Sequence, residues 1–299
     1  MSGGPDAPGR GVSGGSGGPD PAGAPPPGTA RVVLMHGAWH RGSSWAPVTA
    51  ALERSGVPVS APDLPADSGG YEDQVAAVLA AAGAGAAARP GPAGGPDAAA
   101  GSDPAGEPVV LVGHSLGGLA ATVAAARLGA ARVRALVLVA ALVPEPGRPQ
   151  LERLRSEGDL MVPGYDDGIR RGDGPVTFWP DASTVAAGLY RGVADELAAR
   201  TGAAGEQLVA EAADRLRPQD WSLLREPCPI EEWPAVRTVS VVCADDRVVD
   251  PAGGRREAAR VGAELVELPG GHFPMLTRPA ALAGLLADLA VGTALPARS

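Results

Sequence analysis

The sequence predicts an α/β protein: a mostly parallel sheet of about six strands, helices on both faces and a helical lid. Three observations lead there. Short apolar runs alternate with helical patterns along most of the chain. The runs are rich in Val and Leu and are bounded by Gly, Pro or charge, as strands buried on both faces require. Between about Glu145 and Trp233 the alternation stops, and only helical or irregular signals remain.

Residues 1–29 are mostly Gly, Pro, Ser and Ala, with almost nothing to bury, so this segment is expected to be disordered. One folded domain is expected over 30–291. Its first strand is 31–35, which ends just before Gly37. A helix over 45–54 follows, with Ser43 or Ser44 as its cap and Gly56 as its stop. The second strand is 57–61, closed by Pro62-Asp63-Leu64-Pro65, and 71–82 reads as a helix. The Gly/Pro/Ala tract 83–106 is expected to be a flexible surface insertion. The third strand, 108–112, runs directly into Gly113 and a helix of small residues ending at Leu128. The fourth strand is 133–139. The lid is expected over 145–233, with helices at 151–157, 184–199 and 205–216. Strands at 236–243 and 264–268 flank a helix at 251–261. A last helix covers 278–290, and 292–299 is a loose tail.

Composition narrows the function. The 299 residues carry a net charge of -9, and all 25 basic side chains other than His are Arg. No clustered basic face is present to displace counterions, so no nucleic-acid partner is expected. With no Lys in the chain, Schiff-base and lysine-base chemistry are excluded. Cys228 and Cys243 match neither a zinc pattern nor a disulfide framework and read as thiols of a reducing compartment. The first residues lack the apolar core of a secretory signal, and no stretch is long and apolar enough to span a bilayer. The expectation is a cytoplasmic protein with no membrane partner, no metal and no cofactor; no oligomeric state is read from the sequence.

The chemistry is carried by three distant stretches. Gly113-His114-Ser115-Leu116-Gly117 fits Gly-x-Ser-x-Gly. An apolar strand precedes it and a small-residue helix opens after it, the setting of a nucleophile elbow. A serine hydroxyl needs a base. Among His36, His40, His114 and His272, only His272 has the chain position of a base in Ser…Asp…His order. The acid that orients it should follow the 236–243 strand. Asp246 is preferred and Asp245 is second, while Asp250 before Pro251 reads as a helix cap. The oxyanion needs preorganised N–H donors. Leu116 supplies one and Ala38, in the loop His36-Gly37-Ala38-Trp39, the other. Gly37 allows close backbone approach, and Trp39 and Phe273 are candidates to line a substrate pocket.

Together these residues resemble the α/β-hydrolase superfamily, and within it the small esterase branch that includes plant methylketone and hormone methylesterases and hydroxynitrile lyases. The shared marks are His36-Gly-Ala-Trp-His40 with Trp45, Pro62-Asp-Leu-Pro65, Gly113-His-Ser-Leu-Gly-Gly118, Asp246-Arg-Val-Val and Pro269-Gly-Gly-His272. The resemblance implies the α/β-hydrolase fold, a Ser115–His272–Asp246 triad, and Ala38 and Leu116 as oxyanion donors. The implied activity is hydrolysis of a small, fairly apolar carboxylic ester through an acyl-enzyme. The lyases of this branch carry Lys directly after the base and Thr where this chain has Gly37; Phe273 follows the base here, which disfavours cyanohydrin cleavage. Thioester, lactone or C–C bond hydrolysis on the same triad, or a catalytically silent ligand-binding member of the fold, are the alternatives.

Overall fold

The structure is a computed structural model that describes residues 28–66, 69–83, 106–202 and 204–294. The expected disordered start, the 83–106 insertion and the tail fall outside these residues except at their edges.

Six strands form one parallel sheet in the order β2-β1-β3-β4-β8-β9. They are β1 (Arg31–Met35), β2 (Val59–Ser60), β3 (Val109–His114), β4 (Val133–Val139), β8 (Thr238–Cys243) and β9 (Glu264–Leu268). All residues of β3 and β8 are buried, which is why they read as unbroken apolar runs.

The helices follow from the strand order. α1 (Ala46–Arg54) carries the chain from β1 outward to β2, and α2 (Tyr71–Ala81) carries it back past β1 to β3. Right-handed crossovers in opposite directions place α1 and α2 on opposite faces. α3 (Gly117–Leu128) and α8 (Pro251–Arg260) move in the same direction as α2 and share its face, and α3 packs on α2. α10 (Pro279–Val291) returns to pack on α1. Nine residues of α3 are buried, a density that its Gly and Ala composition permits.

The strand order reverses between β1 and β3. The crevice beyond the carboxyl ends of strands at such a switch point is where α/β sheets hold ligands. Gly37 follows β1 and Ser115 follows β3, so both lie at that point.

The segment between β4 and β8 contains α4 (Gln150–Ser156), α5 (Ala182–Ala187), α6 (Val193–Thr201) and α7 (Gly205–Ala213). It also contains a small antiparallel sheet of β5 (Arg170–Arg171), β6 (Val176–Phe178) and β7 (Gln219–Asp220). The sequence predicts only helix here. Two of these strands are two polar residues long, too short to show any alternation. The helix expected over 184–199 is divided by Gly188 and Gly192; Gly192 has φ +88°, and a Cβ at Gly188 would stand 2.9 Å from the Asp167 carbonyl oxygen. A cap by Ser43 or Ser44 also does not form: a 3₁₀ turn at Gly42–Trp45 leads into α1 with no side-chain cap.

A buried ion cluster ties this segment to the main domain. Arg153 on α4, with a side chain 1% exposed, bonds both carboxylate oxygens of Glu257 on α8 at 2.9 and 3.0 Å and also the Val143 carbonyl.

Candidate active site

Ser115 sits at the turn between β3 and α3 with φ +52°, the left-handed region that costs a non-Gly residue roughly 1–2 kcal/mol. Its neighbours enforce that conformation. Its N–H donates to Val139 O at 3.2 Å, and its carbonyl accepts from Leu142 N at 3.0 Å and Gly118 N at 3.1 Å. From Val109 to Ala125, Ser115 is the one residue that is not buried. The glycines around it are demanded by space. A Cβ on Gly113 would lie 2.7 Å from the Gly118 Cα, and one on Gly117 would lie 2.6 Å from the His36 carbonyl oxygen.

His272 lies in the loop between β9 and α9 (Pro274–Thr277), buried at 4% exposure. Its Nδ1 is 2.8 Å from Asp246 Oδ2. The other oxygen, Oδ1, accepts from the amides of Val248 at 2.8 Å and Val249 at 3.0 Å, so the carboxylate cannot swing away. Asp245 points elsewhere: it accepts from Gly270 N at 3.1 Å and donates its own N–H to Gly270 O at 3.0 Å. Asp250 caps α8 by accepting from Gly253 N at 2.8 Å. The neighbouring aspartates thus have separate tasks, and only Asp246 meets the imidazole.

The loop that carries His272 and the turn that carries Ser115 touch. His114 Nε2, one residue before Ser115, bonds the His272 carbonyl at 2.9 Å, and the two imidazole rings are 4.6 Å apart. Burial holds the His114 imidazole well below its ordinary pKa, so it is neutral, and this nitrogen carries the proton it donates.

The loop after β1 is held by its own histidines. His36 Nδ1 donates to Gly37 O at 2.9 Å, and the His40 backbone N–H reaches the same oxygen at 3.3 Å. The Gly37 carbonyl therefore points inward to these donors, and the N–H of the same peptide, that of Ala38, points the opposite way. Among the described residues neither the Ala38 nor the Leu116 N–H has a hydrogen-bond acceptor. Burial, the largest cause in each case, lowers His36 to a pKa of about 4 and His40 to about 3. Both are neutral, and each pairs one donor with one acceptor. His36 Nε2 accepts from Leu64 N at 3.0 Å; His40 Nδ1 donates to Ala38 O at 2.6 Å, while its Nε2 accepts from the Tyr190 hydroxyl at 2.8 Å.

Of the candidate lining residues, Gly37 abuts Ser115, since a Cβ there would stand 2.9 Å from Ser115 Cβ. Trp39 (φ +62°) is 3% exposed and turned toward the small sheet, where its ring meets Trp221 at 5.2 Å and Trp179 at 5.8 Å edge-on. Phe273 is 1% exposed and packs on His272 at 4.9 Å and Tyr190 at 4.7 Å. Both rings are buried.

Sequence reasoning missed the side chains that hold these loops from the segment between β4 and β8. Arg217 donates to His40 O at 2.8 Å and to Leu64 O at 2.5 Å, and its backbone N–H bonds Trp39 O at 2.9 Å. Gln219 accepts from Trp39 N at 3.3 Å. Glu196 on α6 accepts from Gly271 N at 2.8 Å, next to His272. Nothing in the sequence joins Arg217, Gln219 or Glu196 to the loops they hold. Among the described residues no group of three or more His, Cys, Asp or Glu is placed to hold a metal ion, and no helix is long and apolar enough to cross a membrane.

Solved structures share this architecture. The pyrethroid hydrolase from Sphingobium faniae JZ-2 matches with a TM-score of 0.66 and 22% identity, covering 88% of this chain and 98% of that one. Polyneuridine aldehyde esterase matches with a TM-score of 0.66 and 18% identity over 87% and 99% of the two chains. Tomato methylketone synthase I complexed with 2-tridecanone matches with a TM-score of 0.63 and 18% identity over 89% and 99%. At these identities the likeness establishes the fold. Comparison with curated proteins gives no match. The family description "Alpha/beta hydrolase family" matches residues 32–285, well over half of the sequence, and the chain belongs to that family.

Proposed function

We propose that the protein hydrolyses a small, fairly apolar carboxylic ester, with Ser115 as nucleophile, His272 as general base and Asp246 as the acid that orients it. One observation carries the reading: a buried imidazole–carboxylate pair at 2.8 Å lies on a loop bonded to His114, the residue before a serine strained into the left-handed region at the sheet's switch point. With Nδ1 donating to Asp246, the His272 Nε2 is left as an acceptor. It takes the Ser115 proton as Oγ attacks the ester carbonyl carbon. The oxyanion forms against the Ala38 and Leu116 amides, an interaction worth about 3 kcal/mol per donor. Collapse breaks the bond to the alcohol, which leaves with the proton held by His272. Water, deprotonated by the same imidazole, then attacks the acyl-enzyme and releases the carboxylate and the free serine.

Asp246 holds the tautomer and stabilises the transient imidazolium. The apolar character of the substrate is argued from Phe273, packed on His272 at 4.9 Å, and the hydrolytic reading agrees with the words hydrolase and esterase in the names of two of the solved structures. The test is covalent labelling. A fluorophosphonate probe is expected to label the wild type and to leave Ser115→Ala unlabelled; equal labelling of both removes Ser115 from the role. A panel of aryl esters, thioesters and lactones then ranks the acyl class.

A further inference from the structure

A cavity of about 190 Å³ lies between the start of α1, helices α6 and α7, and α9. Ser115, Asp246 and His272 do not line it. Its inner wall is the hydrogen-bonded pair of His40 and Tyr190, both buried. Beyond that wall Phe273 packs on Tyr190 at 4.7 Å and on His272 at 4.9 Å, so ring layers separate the cavity from the imidazole of the site described above.

The lining has two chemistries. Pro47, Leu197, Leu208, Leu216 and Leu276 give it apolar sides. Arg41, Arg200 and Arg215 bring three guanidinium groups against one carboxylate, that of Glu211. Arg41 is committed to Asp63 at 3.7 Å, and Arg200 to the Leu276 carbonyl at 3.1 Å. Glu211 accepts from Gln207 at 3.0 Å. The Arg215 guanidinium has no hydrogen bond or ion pair among the described residues, yet its charge reaches the Tyr190 hydroxyl and partly offsets the effect of burial there. Arg215 is exposed and so stands at the mouth of the apolar chamber, where it suits a ligand with the converse layout: a carboxylate for the planar fork and a hydrocarbon chain for the walls.

We propose that this cavity is a second binding site, distinct from the Ser115 site, for a medium-chain aliphatic carboxylate whose head group pairs with Arg215. A link to the first site is built into α6. Leu197 and Arg200 line the cavity, and Glu196, the residue before Leu197, bonds the Gly271 amide of the base loop.

The experiment is calorimetric titration of the full-length protein with octanoate, and with octan-1-ol as its uncharged counterpart. It does not require the protein to be active, so a failure of the esterase reading leaves it interpretable. Octanoate is expected to bind the wild type and to bind equally after Ser115 is blocked with a fluorophosphonate or replaced by Ala. Affinity is expected to fall about tenfold in Arg215→Gln, the size of one lost charge-assisted pair. Ala212→Trp, which fills the cavity from α7, is expected to abolish binding, with circular dichroism confirming that the variant is folded. Octan-1-ol is expected to bind the wild type more weakly than octanoate and to be indifferent to Arg215→Gln. Three results overturn the proposal: equal octanoate affinity in wild type and Arg215→Gln, undiminished binding by folded Ala212→Trp, or loss of all binding when Ser115 is blocked.

Discussion

At Gly37 the lack of a side chain decides where Ser115 can stand. Any Cβ there would press within 2.9 Å of both Ser115 Cβ and His114 Nδ1. These neighbours cannot yield cheaply, because the Ser115 backbone is tied at three points and His114 is bonded to the base loop. Gly37→Ala is therefore expected to fold normally but to slow fluorophosphonate labelling of Ser115 by at least about tenfold, since misplacement of reacting groups by a fraction of an ångström is costly. An unchanged labelling rate would mean that the elbow tolerates displacement. The motif residues were readable because their constraints are local: Gly113, Gly117 and Gly118 are needed where strand and helix nearly touch, and such a need shows in the sequence. The choice of Asp246 over Asp245 was readable only as a preference, because both lie in one turn and coordinates alone separate an acid facing an imidazole from one facing an amide.

Among the elements, α6 packs on α7 and α9 and reaches the loop before α9. Its Glu196 carboxylate receives the Gly271 N–H at 2.8 Å and faces Arg278 at 3.8 Å, so it fixes the two-glycine loop that ends in His272. Glu196→Ala is expected to lower kcat for ester hydrolysis about tenfold with KM little changed, because the loop loses its anchor while the binding walls stay. Glu196→Gln keeps an acceptor oxygen and is expected to recover most of that loss; failure of Gln to rescue would assign the effect to charge and not to loop position. This role could not be read beforehand, since Glu196 and Gly271 are joined only by packing. The same holds for Arg217, which lies between α7 and β7 and bonds the loop after β1, and for the small antiparallel sheet, whose strands are too short for a period. The large sheet was legible for the opposite reason: β1, β3, β4 and β8 are buried on both faces and must be almost wholly apolar.

At the scale of the whole molecule, four histidines are buried in and around one site, and the neutral ones set an acid limit on stability. His36 and His40 ionise in the folded state only near pH 4 and pH 3, against 6.5 for an exposed imidazole. Below pH 6.5 the unfolded chain therefore binds more protons than the folded one, and stability must fall as pH falls. The loss begins near pH 6.5 and continues down to the folded-state values, at on the order of 1 kcal/mol per pH unit for each histidine. Urea midpoints measured from pH 7.5 to pH 4.5 are expected to decline steadily below 6.5, and His40→Phe is expected to flatten part of that slope. A midpoint constant across the range would contradict the neutral buried pair.

Thr177 on β6 accepts hydrogen bonds from two indoles through one oxygen, from Trp39 Nε1 at 3.0 Å and Trp221 Nε1 at 2.7 Å. Trp39 belongs to the loop after β1 and Trp221 to the segment after β7, so this hydroxyl adds to the contacts that join two distant parts of the chain. The protein thereby carries a native optical gauge of this contact. Any movement that lifts the small sheet would bring water to both chromophores at once, and their emission should shift to the red before the far-ultraviolet signal of the large sheet changes. In Thr177→Val that early red shift is expected to be present already at rest.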